Sequence, residues 1–159
     1  MRRRAIQNIH AMGWLVARGS GAPFYGMGDF KKLLVWQKAH VMALDAHRVA
    51  SRIRGADHSS LRSQIIRSAM SVPANIVEGA SEQTAREFSR FLRIALNSTA
   101  ELEYHLIAAR DLQAVRGSDS LTLISQVVEV RKMLYGLRRY LASQSRDREG
   151  VPSKDAKQA

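Results

Sequence analysis

The residues best suited to chemistry in this sequence are arginines that recur along one predicted helix. Arg86, Arg90 and Arg93 are three or four positions apart, so a helix places their guanidinium groups on one face over about 10 Å. Asn97 and Tyr104 continue that face. Guanidinium groups bind phosphate bidentately, and an aromatic ring can stack on an unpaired base. This arginine stripe is therefore our candidate surface for RNA or single-stranded DNA, and an ordinary solvated helix face is the alternative.

Further basic side chains raise the expectation of an anionic partner without locating it. The chain has 25 Lys and Arg against 14 Asp and Glu, a formal net charge of +11 at pH 7. Residues 27–143 hold seventeen basic and eleven acidic groups, which leaves +6 on the expected folded domain. Such a surplus concentrates polyanions around a protein, so nucleic acid or an acidic protein is the expected partner. The secondary basic candidates are Arg48, Arg52, Arg54, Arg131, Lys132, Arg138 and Arg139.

The residue patterns of common catalytic and metal centres are missing or wrongly spaced. The chain has no cysteine, which excludes disulfides, thiolate nucleophiles and thiolate metal sites. A carboxylate-bridged di-iron centre needs Glu-x-x-His on two helices, whereas Glu101 and His105 are four positions apart. The sequence also lacks Gly-x-Ser-x-Gly, a glycine-rich phosphate loop and His-Glu-x-x-His. We therefore expect no enzyme activity, no catalytic residue, no metal and no cofactor.

One folded domain is expected over residues 27–143, with a leader before it and a tail after it. Residues 1–26 carry an apolar run from Ala11 to Ala17, far shorter than the roughly 20 residues that cross a bilayer. We expect this leader to be disordered or not native, with a basic arm or a targeting segment as alternatives, and we expect no membrane span. Residues 144–159 are expected to form a disordered tail. The lack of cysteine favours a reducing cytoplasm.

Four amphipathic segments predict an all-α fold. In each of them apolar residues recur at spacings of three and four, as on the buried face of a helix. The segments run from Leu33 to Ile53, from Leu61 to Ile76, from Phe88 to Ala109 and from Leu123 to Leu141. Short links between them favour an antiparallel up-down four-helix bundle. In the second helix Pro73 removes an amide donor, so a kink is expected there.

Polar residues at the expected helix starts indicate caps. Asp29 is placed to cap the first helix, and Thr84 with Glu87 three positions later has the form of a capping box for the third. Ser118 or Asp119 is placed to cap the fourth helix. These residues therefore set the expected helix starts.

The polar and small residues at the end of the second helix are interpreted as structural. Pro73 frees the carbonyl of Ala69, and the side chain of Asn75 is placed to satisfy a carbonyl of that kind. Gly79 is expected to end the helix in the left-handed conformation. A binding role for Asn75, Glu78 and Gly79 is the alternative.

The third helix is too apolar for an isolated bundle. Ile94 and Leu96 flank its apolar seam on opposite sides, which widens the apolar sector to roughly 200°, where about 100° serves a single core. A closed homo-oligomer is the simplest cover, because symmetric self-assembly is the commonest kind. We therefore expect the chain to bind copies of itself.

Three motifs in a fixed order resemble one bacterial protein family. They are Trp36-Gln-Lys-Ala39, Ser71-Val-Pro-Ala-Asn-Ile-Val-Glu-Gly79 and Phe91-Leu-Arg-Ile-Ala95. Together they are similar to the four-helix-bundle proteins first noticed as reading frames in rRNA intervening sequences, the S23-type family. That family is related to the accessory variability proteins of diversity-generating retroelements.

The resemblance implies a four-helix bundle without catalysis that forms a ring-like homopentamer with a basic surface. In the retroelement members the pentamer is a partner of a reverse transcriptase and of template RNA, so the resemblance implies an adaptor with RNA as its expected ligand. Many relatives place Arg or Lys in the turn after the Glu-Gly pair, whereas this chain has Ala80-Ser-Glu-Gln-Thr84. This departure favours the arginine stripe over the turn as the phosphate-binding surface.

Three hypotheses follow from the sequence. The first is a non-enzymatic, homo-oligomeric bundle that binds RNA or single-stranded DNA through clustered arginines, alongside a reverse-transcriptase partner. The alternative is a protein-interaction scaffold that does not bind nucleic acid. A small hydrolase or metal enzyme is the third, and no residue pattern favours it.

Overall fold

The computed structural model describes residues 29–149, with side chains up to Gln144, and this part of the chain contains four α-helices and no strand. The helices are α1 (Leu34–Ala50), α2 (Ser59–Ala80), α3 (Ala85–Asp111) and α4 (Gly117–Glu149). Short 3₁₀ turns precede α1 and α2. The expected leader over residues 1–26 lies outside the described residues.

The four helices form the predicted antiparallel up-down bundle. Each helix packs on its neighbours in sequence, and α4 returns to α1 to close the bundle. The Gln126 side chain of α4 donates to Asp45 of α1 at 3.0 Å, and Lys38 pairs with Glu129 at 3.0 Å. The fold class read from the apolar periodicity is confirmed. Helix α2 continues through Pro73, and the kink expected there stays a prediction.

The apolar periodicity also predicts the core. The predicted seam residues of α3 and α4, spaced three or four apart, are all buried. They are Phe88, Leu92, Ala95, Thr99, Leu102, Leu106 and Ala109 on α3, and Leu123, Val127, Val130, Leu134, Leu137 and Leu141 on α4. Leu96 is buried as well, so the bundle of a single chain already covers one flank of the wide apolar sector on α3. Ile94 stays partly exposed. The expectation of an external cover is therefore wrong for Leu96 and stays a prediction for Ile94.

Gly79 has a different role from the one its position at the end of a helix predicts. It lies inside α2, which ends at Ala80, and its backbone does not have a positive φ. The expected left-handed stop is therefore wrong. A Cβ atom on Gly79 would lie 2.4 Å from the Phe88 ring and 2.9 Å from Cβ of Phe91. Glycine is required because α3 approaches the α2 backbone this closely.

A small polar cluster joins α2 to α3 beside Pro73. The Asn75 amide donates to the carbonyl of Ser71 at 2.8 Å and to its hydroxyl at 3.0 Å, instead of reaching Ala69. The Ser71 and Ser98 hydroxyls are 2.9 Å apart. Asn75 therefore does not satisfy the carbonyl that Pro73 frees, and its side chain instead holds Ser71, the residue that contacts Ser98 of α3.

The predicted helix start agrees with the structure at α3, and the predicted starts of α1 and α4 differ from it. Thr84 caps α3, because its hydroxyl accepts the Glu87 amide at 3.2 Å and donates to the Glu87 carboxylate at 2.7 Å. Asp29 caps the 3₁₀ turn Phe30–Lys32, whereas α1 begins later, at Leu34. Helix α4 begins at Gly117, ahead of both predicted caps.

Helix α4 also extends past the end expected for the bundle. It runs to Glu149, six residues beyond 143. The sequence offers a reason, because Gly150 and Pro152 are the first helix-breaking residues after the apolar seam. The remainder of the expected tail, residues 150–159, lies outside the described residues.

Candidate functional site

The arginine stripe lines a groove between α3 and α4. Arg86, Arg90 and Arg93 come from the first turns of α3, and Arg138 comes from the second half of α4. They line a groove of about 610 Å³ together with Thr84, Glu87 and Ser89. We call this the arginine groove. The structure thus unites three residues of the stripe with one secondary basic candidate.

Buried residues on both helices fix the position of the groove. Phe88 and Leu92 are fully buried on α3, so Arg86, Arg90 and Arg93 on the opposite side of the helix are exposed. Leu137 and Leu141 are buried on α4 on either side of Arg138. The Arg138 guanidinium donates to the Ser89 hydroxyl at 3.3 Å, which joins the two walls of the groove.

The charge of the groove is not neutralised by ion pairs. Among the described residues, the six ion pairs include none of its four arginines. The carboxylate that lines the groove belongs to Glu87, and it accepts the Thr84 hydroxyl. The groove also lies at the amino-terminal end of α3, where the helix dipole adds positive potential. The arrangement therefore favours a ligand with several negative charges.

Asn97 and Tyr104 share the face of the stripe but do not line the groove. Asn97 is exposed one turn beyond Arg93. Tyr104 lies eleven residues beyond Arg93, about 16 Å along the helix. Its ring meets that of His105 at 5.3 Å. The structure thus separates these two predicted residues from the clustered arginines.

Several secondary basic candidates are engaged in contacts within the chain. Arg131 of α4 is half-buried, donates to the Thr99 carbonyl at 3.1 Å and pairs with Glu103, both on α3. Arg48 pairs with Asp45 at 2.6 Å. Arg131 therefore joins two helices, whereas Arg48, which is mostly exposed, pairs within α1. Lys132, Arg139 and Arg54 are exposed.

A second, smaller groove lies at the opposite end of the bundle. It has a volume of about 370 Å³ and includes Arg52, Arg116 and Asp119. Asp119 pairs with Arg116 at 3.0 Å and lies 3.7 Å from Arg52. The carboxylate offsets much of the positive charge, so this groove suits a polyanion less well than the arginine groove does.

Other classes of site find little support in residues 29–149. No group of three or more His, Asp or Glu side chains in this range is placed to hold a metal ion. Burial lowers the pKa of His105; the charge of Glu101 opposes this shift and that of Arg67 reinforces it. None of the helices in this range combines the length and apolar character needed to cross a membrane.

Sequence reasoning found the arginines of α3 but could not assemble the groove. Ser89 and Thr84 were not predicted as groove residues, and Arg138 was one of several dispersed basic candidates. The missing information is the register of α4 against α3, which puts Arg138 beside Ser89. The short link between α3 and α4 gives a weak signal of that register. In an antiparallel pair the end of α3 lies beside the start of α4, so the start of α3 lies beside the later part of α4.

Comparison with known proteins gives a family and a fold. A family model described as 23S rRNA-intervening sequence protein matches residues 31–136, about two thirds of the chain. The chain is also similar to a solved structure, a protein of unknown function from the S23 ribosomal protein family of Bacteroides thetaiotaomicron VPI-5482. The TM-score is 0.63 at 23% identity, and the match covers 67% of this chain and 99% of the other. At that identity the likeness shows the fold alone. No curated protein matches the chain.

Proposed function

Because the chain belongs to the family of 23S rRNA-intervening sequence proteins, we propose that it is a non-enzymatic, homo-oligomeric adaptor that binds RNA or single-stranded DNA through the arginine groove. One observation carries this proposal. Four arginines line a single groove, and none of them forms an ion pair within the described residues. Membership of the family supports the four-helix bundle, and the arginine groove supports the binding of an anionic ligand.

A phosphate backbone fits the groove because of the chemistry of its walls. Guanidinium groups match phosphate oxygens in a bidentate geometry, and each neutralised phosphate releases condensed counterions. With four phosphate contacts to a single strand, the slope of log K against log salt is expected to be about −3. Every residue that lines the groove is charged or carries a hydroxyl, so a small neutral ligand would meet no apolar side chain there. The ligand class is therefore a polyanion.

Charge reversal of the stripe tests the proposal. The triple variant R86E/R90E/R93E replaces three exposed guanidinium groups and should lower affinity for an RNA strand at least a hundredfold at low salt, because attraction becomes repulsion. Fluorescence anisotropy with labelled RNA and with single-stranded DNA of the same sequence measures the change. Circular dichroism checks that the bundle remains folded.

A matched triple variant separates the groove from the overall charge. R48E/R52E/R54E changes the net charge by the same amount on or just after α1, at the other end of the bundle. It should retain most of the affinity. Equal losses in the two variants, or unchanged binding of both, would remove the arginine groove as the binding site.

A protein-interaction scaffold without nucleic-acid binding is the second candidate. The exposed apolar side chains Val41 and Leu44 of α1 favour it, because residues three apart on a helix are neighbours and adjoining apolar side chains on a surface mark protein contacts. Met70 on α2 is exposed as well. Purification of the tagged chain from its source after nuclease treatment distinguishes the two candidates. A stoichiometric protein partner together with wild-type-like behaviour of the charge-reversed variant would favour the scaffold.

The same exposed residues support the homo-oligomer in the first proposal. Leu44 and Met70 lie on two helices that pack together, and both are partly exposed although the bundle core is complete. A second copy of the chain is the simplest partner for such exposed apolar side chains. The resemblance described above adds a ring of five subunits as the expected assembly.

A reverse-transcriptase partner and a cytoplasmic location complete the proposal. The first is supported by the resemblance to accessory proteins of retroelements, and the second by the lack of cysteine in the chain. A reverse-transcriptase gene beside the gene for this chain would support the proposed reverse-transcriptase partner. An isolated reading frame within an rRNA gene would argue against that partner.

A further inference from the structure

The tyrosines in the described part of the chain are all exposed on the two helices that form the arginine groove. Tyr104 on α3 is 66% exposed, and on α4 Tyr135 is 53% and Tyr140 38% exposed. An aromatic ring left in water forgoes the large stabilisation that its burial would give. Exposure alone does not assign a role to a tyrosine. The position of each ring relative to the arginine groove decides whether it can contact a ligand bound there.

Two hydrogen bonds fix where Tyr135 lies. Arg131 donates to Thr99 on α3, and Arg138 donates to Ser89 on the same helix. Tyr135 is four residues after Arg131 and three before Arg138, a spacing that puts all three on one side of α4. Tyr135 therefore lies on the side of α4 that faces α3, level with the part of α3 between Ser89 and Thr99.

That part of α3 carries Arg93, which lines the arginine groove. Residues three apart on a helix have Cβ atoms about 5 to 6 Å from each other, so Tyr135 is the neighbour of Arg138 on α4, just outside the residues that line the groove. The position thus combines an exposed aromatic face with guanidinium groups from both helices. Tyr135 was not among the candidates from sequence.

This combination distinguishes between forms of nucleic acid. An unpaired base can lie flat on a tyrosine ring while the neighbouring phosphates contact guanidinium groups. In a duplex the bases stack on each other and their faces are not available to the ring. Phosphates are present in both forms, so the arginines alone would not discriminate.

We propose that Tyr135 is a base-stacking residue at the edge of the arginine groove, and that the groove binds single-stranded nucleic acid in preference to duplex. This inference rests on the proposed function and names its ligand class. In this proposal the Tyr135 ring distinguishes a single strand from a duplex, and the four arginines of the groove provide most of the binding affinity.

The test compares a single strand with its duplex. The probe is a labelled strand of roughly 16 nucleotides designed without internal pairing, as RNA or DNA according to which the wild-type protein binds more tightly. Fluorescence anisotropy measures its affinity alone and after annealing to its complement. The wild-type chain should bind the single strand more tightly.

Tyr135→Leu should weaken binding of the single strand about tenfold, because stacking on the ring is lost. Affinity for the duplex should not change. The slope of log K against log salt should also stay the same, since no charge is removed. Tyr135→Phe keeps the ring and should bind as the wild type does.

Tyr140→Leu is the matched control. Tyr140 is five residues from Tyr135, so it points about 140° away around α4, and the same substitution there should leave both affinities unchanged. Thermal unfolding followed by circular dichroism checks that each variant is folded.

Three results would overturn the inference. Wild-type affinity of Tyr135→Leu for the single strand would exclude the stacking contact, and an equal loss for strand and duplex would show a contact common to both forms. A wild-type chain without preference for the single strand would contradict the ligand class. If R86E/R90E/R93E loses binding in any of these cases, the proposed function stands without this inference; if that triple variant binds normally, the proposed function fails.

Discussion

Arg131 and Arg138 lie two turns apart on α4, yet their guanidinium groups have different roles. Arg131 is half-buried between the Thr99 carbonyl and the Glu103 carboxylate, so its charge is already paired. Arg138 has one long hydrogen bond, to the Ser89 hydroxyl, and no carboxylate within ion-pair distance. The neighbouring helix, and not the residue type, thus decides which arginine can meet a ligand.

Gly79 gives a residue-scale prediction about the packing of α2 on α3. In Gly79→Ala the new methyl group would overlap the fully buried Phe88 ring, so the ring or the helix would have to shift. Overpacking of this kind costs about 2 to 3 kcal/mol, and the better helix propensity of alanine returns ~1 kcal/mol. We therefore expect a net loss of about 1 to 2 kcal/mol in the free energy of unfolding, measured with urea.

Gly117→Ala is the control for this substitution. Gly117 begins α4, and a Cβ atom there would have no neighbour within 4 Å. It should be neutral or slightly stabilising. If both variants had the same stability, the close approach of α3 to Gly79 would not be the reason for glycine there.

At the scale of the helices, Thr84 links the stability of α3 to the position of the arginine groove. Its hydroxyl caps the first turn, and Arg86 and Arg90 belong to the turns that follow. Thr84→Ala removes the cap and should lower the free energy of unfolding by about 1 kcal/mol. Urea unfolding measures this loss.

Thr84→Ser retains the hydroxyl and should recover most of the stability. The alanine variant should also bind RNA somewhat more weakly, because fraying of the first turn disorders the arginines. Equal stability of the alanine and serine variants would show that the cap contributes nothing measurable.

The helices themselves were predictable because each carries its own signal. The seven-residue rhythm of α3 and α4 identifies their buried seams, and every predicted seam residue is buried. Helix ends were harder to predict, since they depend on competing local contacts: Asp29 caps a 3₁₀ turn, and Gly79 lies inside α2 against Phe88 and Phe91.

The arginine groove was predictable only for the wall that α3 provides. The arginines of one helix share a period, but Arg138 joins them only through the register between two helices.

At the scale of the whole molecule, self-association is the property that the exposed apolar residues predict. The double variant L44E/M70E places charges at two exposed apolar positions, one on α1 and one on α2, and should convert an oligomer into a folded monomer. Light scattering coupled to size-exclusion chromatography measures the mass of both proteins.

The arginine-groove triple variant serves as the comparison, because it should keep the wild-type mass while losing affinity for RNA. A wild-type chain that is already a monomer, or a double variant that keeps the full mass, would contradict the oligomer formed through this face.

The direction of the helices has a practical consequence for anyone who handles the protein. Arg62 at the start of α2 contacts Ile53 just after α1, and Arg138 in the later part of α4 contacts Ser89 near the start of α3. The beginning of α1 and the final turns of α4 therefore emerge at the end of the bundle that carries the arginine groove. A fluorescent label near the start of α1 or on the final turns of α4 would therefore lie at the same end as the groove, whereas a label in the link over residues 112–116 would lie at the far end.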